Sequence, residues 1–376
     1  MNTLQQLQQF GQSIWYDNIQ RNMLGENGEL TRMIREDHLA GVTSNPTIFE
    51  KAISASHDYD EQITQLLAEQ TQMDSRAIFF SLAIQDIQQA ADLLQPVYER
   101  SQGRDGYVSL EVSPDLAYDI DTTIAEAKHL VERVDRPNLM IKIPSTREGL
   151  TVIERLTAAG INVNATLLFS VHRYEEVAQA YIRGLEQRLV QGLWIGKIAS
   201  VASFFVSRVD TLADTLLAEK RPHADAEDRG LIDELTGQVA ILNAKEAYAI
   251  YHHLYGDSFQ ALREAGAQPQ RLLWASSGTK NPAYSDVRYL DQLIGPDTVN
   301  TVPPATYQAY LDHGQPARRL ENGILEAREQ LLNLTELGID LAAATQQLEA
   351  DGVKSFQQAF HNLLASIEAK THSLAA

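Results

Sequence analysis

The sequence predicts an α/β protein whose eight strands close into a parallel (β/α)8 barrel, with extra helices between strands 6 and 7 and at the C-terminus. Two observations predict it. Short β-rich runs recur eight times along the 376 residues, and helix-patterned stretches lie between them. An open doubly wound sheet is the other architecture that the same alternation allows.

The runs, in order, are SIWYD (13–17), AGVTSNP (40–46), YVSLEV (107–112), NLMIKI (138–143), INVNATLLF (161–169), LWIGKIASVAS (193–203), RLLWASS (271–277) and TVNTVPP (298–304). Each is short, β-rich and bounded by turn residues or a change of period. Between them, residues 74–100 and 170–191 place apolar side chains at three-and-four spacing, the period of a helix with one buried face. Two stretches exceed an ordinary loop. Residues 211–266 read as helices inserted between the sixth and seventh strands, and 320–376 as a helical C-terminal extension. With no low-complexity tract and no long Pro/Gly/Ser linker, residues 1–376 are expected to form one domain.

Composition limits the function. The 31 Lys+Arg against 50 Asp+Glu give a net charge of −19, which repels phosphate backbones and anionic lipid, so neither nucleic acid nor membrane is an expected partner. The absence of cysteine removes thiol nucleophiles and thiolate metal sites, and fits a cytoplasmic location. The first residues lack the basic and apolar regions of a leader, and no run approaches the ~18 apolar residues of a membrane span. The expectation is a soluble, unprocessed chain, for which a homodimer is one assembly left open.

The strand ends carry the chemistry. Side chains alternate across a strand, so in NLMIKI the residues Leu139, Ile141 and Ile143 suit the helix side while Asn138, Met140 and Lys142 point inward. In YVSLEV the inward set is Ser109 and Glu111; in INVNATLLF it is Asn162, Asn164 and Thr166. Asp17 ends the first strand, and Thr43 and Asn45 end the second. Barrel enzymes build their sites at the C-terminal ends of strands, so Asp17, Asn45, Glu111, Lys142, Asn164 and Thr166 are expected to converge on one pocket. Burial disfavours a charged lysine, and a neutral amine attacks carbonyls to form a Schiff base that allows an adjacent carbon–carbon bond to break. Glu111 and Asp17 suit the acid and base steps, and the asparagines suit sugar hydroxyls. A structural ion pair of Lys142 with Glu111 or Asp17 is the competing account of the same residues.

WASSGTKNP (274–282) follows the seventh strand, where barrels tend to bind phosphate. Gly278 permits close backbone approach, Ser276, Ser277 and Lys280 offer donors, and Arg208 adds a second positive group; the stretch also reads as an ordinary turn. Other motifs fail. GLWIGKIA (192–199) lacks the glycine spacing and the Ser/Thr of a P-loop; GxGxxG, HExxH and GxSxG do not occur; and the adjacent His252 and His253 cannot share a ligand face on a helix.

Four motifs in order, GVTSNPTIFEKAI (41–53), SLEVSPDLAYD (109–119), NLMIKIPSTREGL (138–150) and INVNATLLFSVHRYEEVAQAYIRGLE (161–186), resemble the transaldolase family, its longer bacterial branch in particular. The similarity extends to WASSGTKNPAYSD and to the C-terminal LGIDLAAATQQLEADGVKSFQQAFHNLL. It implies a TIM barrel and transfer of a dihydroxyacetone unit from sedoheptulose 7-phosphate to glyceraldehyde 3-phosphate in the non-oxidative pentose phosphate pathway, with no metal or organic cofactor. By motif it assigns Lys142 to the Schiff base and Asp17 to the donor C4 hydroxyl proton. Glu111 goes with a water near Thr166 to the imine steps, Asn45 and Asn164 to the bound three-carbon piece, and Ser203 and Arg208 to substrate hydroxyl and phosphate. Phe204 stands where the family commonly has a proline, and Lys280 where other branches have an arginine, whose bidentate phosphate contact a lysine cannot reproduce. The rivals are a fructose 6-phosphate aldolase-type lyase using the same lysine, a pyridoxal-phosphate enzyme and a non-catalytic sugar-phosphate binding protein. In the resembling lyases a Gln and a Tyr stand at the positions of Glu111 and Phe205, so this sequence sides with the transferase.

Overall fold

A computed structural model describes residues 1–69 and 73–375. Eight parallel strands, β1 (Gln12–Tyr16), β2 (Gly41–Thr43), β3 (Tyr107–Glu111), β4 (Leu139–Pro144), β5 (Val163–Leu168), β6 (Ser200–Phe205), β7 (Arg271–Ala275) and β8 (Thr298–Val302), close in sequence order, with β8 paired to β1. Every strand residue is buried, because the helix ring covers one face of the sheet and the packed barrel interior the other. The two faces are plain at β6. Phe204 packs edge-on against Tyr174 of the helix Val171–Val190 and against Trp274, while its neighbours Ser203 and Phe205 border the interior cavity.

The helices begin and end where their polar residues dictate. Asp74 caps Ser75–Arg100 by accepting from Ala77 N at 2.7 Å, and Ser170 caps Val171–Val190 by accepting from Arg173 N at 3.0 Å. Between β6 and β7 the expected extra helices comprise Ser207–Lys220, Ala226–Leu235, Val239–Leu254 and Gln260–Glu264. Beyond β8 come Pro304–His313, Ile324–Glu336 and the 35-residue Leu341–Ala375, which crosses the C-terminal mouth to pack on Pro46–Ser54, Ser75–Arg100 and the end of β5.

The sixth run is shorter than its sequence reading. Residues 193–199 form turns and loop, and the strand starts at Ser200. The cause is local: Gly192 adopts φ +71°, and Leu193 and Trp194 face solvent at 44% and 63% exposure instead of entering the sheet. Two inward-parity asparagines also differ from expectation, since both precede their strands. Asn138 donates to Ala91 O and Gly106 O, and Asn162 to Pro137 O and Leu139 O, so they clasp the N-terminal rim.

The interior is solid below the mouth. Trp15 fills its centre and makes Gly41 obligatory, since a Cβ at position 41 would lie 2.5 Å from the indole. Beneath it Arg271 pairs with Asp105 at 2.8 Å, and Ser13 bonds to both. No helix of the described residues is long and apolar enough to cross a membrane.

Candidate active site

Parallel pairing sets the site. In a parallel ladder, register partners of the same parity stand side by side, and the register pairs Glu111 with Lys142 and Lys142 with Asn164. Three strands thus deliver an acid, an amine and an amide in a row. Lys142 is 5% exposed; its Nζ lies 3.6 Å from Glu111 Oε1 and donates to Ser44 O at 3.1 Å. Asn164, fully buried, donates to Ser109 Oγ at 3.1 Å and accepts from Ser203 Oγ at 2.6 Å.

Both carboxylates are perturbed. Burial pushes Glu111 up to about 7 against the opposing charge of Lys142, with Asp17 adding repulsion, and neither Glu111 oxygen accepts a hydrogen bond from the described residues. Burial also pushes the Asp17 carboxyl up. Lys142, the Thr43 hydroxyl donating to Asp17 Oδ1 at 2.7 Å, and Lys280 pull it back.

These groups meet at a cavity of about 300 Å³ at the C-terminal mouth, bordered by Asp17, Asn45, Lys142, Thr166, Ser203, Arg208 and Lys280 among the residues named from sequence. Glu111 and Asn164 stand just behind the wall, in contact with Lys142 and Ser203. Asn45 caps the helix Pro46–Ser54, its Oδ1 accepting from Ile48 N at 3.0 Å, which leaves the amide nitrogen for the cavity. Thr166 Oγ1 is buried and accepts no protein partner among the described residues.

A bulge places that threonine. Ala165 pairs with Ala202 but Leu168 with Phe204, so β5 carries one extra residue, and Leu167 takes φ +61°. A left-handed leucine costs roughly 1–2 kcal/mol, and bulges beside sites re-aim side chains. The rim is cationic despite the acidic chain: Lys51, Arg208 and Lys280 face the opening, with the Arg208 guanidinium 5.5 Å from the Phe205 ring and burial lowering its pKa. Larger cavities of about 480 and 450 Å³ at the opposite end hold no such set of lysine and acids.

Sequence reasoning missed Thr301, Lys51 and Phe356. Thr301 has the inward parity of β8 and was open to the same alternation used elsewhere; its hydroxyl lies 2.6 Å from that of Thr43. Lys51 reads as a surface helix residue. Phe356 comes from the C-terminal helix, which no strand pattern reaches.

A profile of the Transaldolase/Fructose-6-phosphate aldolase family matches residues 14–367. The chain is 45% identical over 379 residues to Transaldolase 2 of Nostoc sp., covering 100% of this chain and 99% of that protein. It is 45% identical over 368 residues to a transaldolase of Thiobacillus denitrificans, covering 98% and 100%. Against a transaldolase of Trichodesmium erythraeum it is 46% identical over 378 residues, covering 99% and 98%. With strand order, cavity and full-length similarity in agreement, the chain belongs to the transaldolase/fructose-6-phosphate aldolase family.

Proposed function

We propose that this cavity moves a dihydroxyacetone unit from sedoheptulose 7-phosphate to glyceraldehyde 3-phosphate, giving erythrose 4-phosphate and fructose 6-phosphate, through a Schiff base on Lys142. Family membership and full-length similarity to proteins named transaldolase support the transfer. The observation that carries the mechanism is a lysine buried inside the barrel mouth with Glu111 at 3.6 Å.

The chemistry follows from charge and position. The Lys142 amine adds to the donor ketone, and Glu111 with Thr166 handles the protons as the carbinolamine loses water to the imine. Asp17 takes the C4 hydroxyl proton while the C3–C4 bond breaks and its electrons flow to the iminium. The aldehyde leaves, and the three-carbon enamine held by Asn45, Asn164 and Ser203 attacks the next aldehyde. Arg208 and Lys280 suit the phosphate, with fixed charge on one side and an adaptable lysine on the other. A cytoplasmic location belongs to the same reading and rests on the cysteine-free composition.

Borohydride added with fructose 6-phosphate is expected to fix a three-carbon adduct on Lys142, read by intact mass and peptide mapping. Lys142→Arg should carry none, because arginine stays protonated. An adduct on any other lysine overturns the assignment.

A further inference from the structure

Among the described residues that border the cavity, Phe356 alone comes from beyond β8 and the start of its following helix. It sits on the helix Leu341–Ala375, is 6% exposed, and shares the cavity wall with Phe205, Thr166 and Lys142. A glycine brings it there. Gly352 stands one turn earlier in mid-helix, where glycine costs about 1 kcal/mol relative to alanine. A Cβ at that position would lie 3.0 Å from Leu167 Cδ2 and 3.6 Å from the Phe169 ring. The helix therefore rests directly on the residues that follow Thr166, and Phe169 continues the apolar wall to Phe205, ring centroids 5.0 Å apart.

The seat is fastened at both ends. Glu349 pairs with Arg173 at 3.0 Å; Lys370 Nζ pairs with Asp60 Oδ1 at 2.8 Å and donates to Ile53 O at 2.9 Å. Phe356 is thus held as a wall by contacts on either side of it.

A wall here bears on one step. After cleavage, the three-carbon enamine on Lys142 waits for an aldehyde. Should water enter, the nucleophilic carbon takes a proton from it, the resulting iminium adds water, and dihydroxyacetone leaves as the lysine amine is restored. Excluding water from that carbon favours the aldehyde.

Resting on the imine reading above, we propose that Phe356 is a specificity-determining residue that shields the bound three-carbon nucleophile from water and so commits it to transfer instead of release. The test compares dihydroxyacetone released from fructose 6-phosphate alone with transfer to erythrose 4-phosphate, in the parent, Phe356→Ala and Phe356→Leu. In Phe356→Ala the release-to-transfer ratio is expected to rise roughly tenfold while borohydride still labels Lys142, with a smaller rise in Phe356→Leu. Should the alanine variant fail to fold, the leucine variant decides on the same ratio. A ratio equal to the parent's, with labelling intact, overturns the role of Phe356 and leaves the imine standing. A parent that is never labelled at Lys142 overturns the imine, and this role with it.

Discussion

Glu111 is an acid that burial keeps half-protonated near neutrality. Its carboxyl sits up at about 7 because desolvation outweighs the Lys142 charge 3.6 Å away. As pH rises through that value Glu111 becomes able to accept a proton, so on the proposed mechanism the imine steps accelerate and then level. We expect kcat/KM to rise through about pH 7, and Glu111→Gln to remove that limb and lower the plateau by roughly 10²–10⁴, measured as a pH–rate profile. The sign for stability is opposite. A folded value above the ordinary 4.5 means that the native state holds this proton more tightly than the unfolded chain; the stabilisation is fully present below 4.5 and is lost as pH rises through about 7.

At the scale of elements, the junction between β2 and the helix Pro46–Ser54 serves fold and site with one residue. Asn45 Oδ1 caps the helix through Ile48 N, and the amide nitrogen remains for the cavity. Aspartate caps as well as asparagine does, but it replaces that donor with a charge. Asn45→Asp is therefore expected to leave the melting temperature near the parent's while raising KM for fructose 6-phosphate by about tenfold or more. Thermal melts and initial rates on one preparation check both halves, and a fall in stability with KM unmoved would refute the division of labour. The β5 bulge shows the same economy. Leu167 at φ +61° is held under the C-terminal helix at Gly352, and the residue before it is Thr166.

Over the whole molecule, the buried ion pair and the candidate site occupy opposite ends of the barrel. At the N-terminal end Asp105 accepts from Arg271, Ser13 and the Trp15 indole, closing the interior beneath that tryptophan. Removing one partner leaves a buried guanidinium uncompensated. Asp105→Ala is expected to cost about 3–5 kcal/mol in urea unfolding, while kcat/KM per folded molecule stays at the parent value. The C-terminal end is built for a different purpose, with Lys51, Arg208 and Lys280 around a mouth in a chain of net charge −19. Such local reversal of sign favours the approach of anionic sugars to the proposed site.

Strand number, strand order and the facing of Lys142, Glu111, Asn164 and Thr166 were legible in the chain, because alternation with period two is a local rule that a closed parallel barrel leaves intact. The same rule misplaced Asn138 and Asn162, where no strand had yet begun, and the β-rich look of residues 193–199 lengthened β6 at its start. What lies between distant elements obeys no such rule. The burial that raises Glu111 beside Lys142, the bulge that aims Thr166, and the seating of the helix bearing Phe356 on Leu167, nearly two hundred residues earlier, depend on register and packing across the mouth. The sequence by itself determined which residues face inward; only the tertiary structure decided which of them touch, because contact is fixed by how separate elements close on one another.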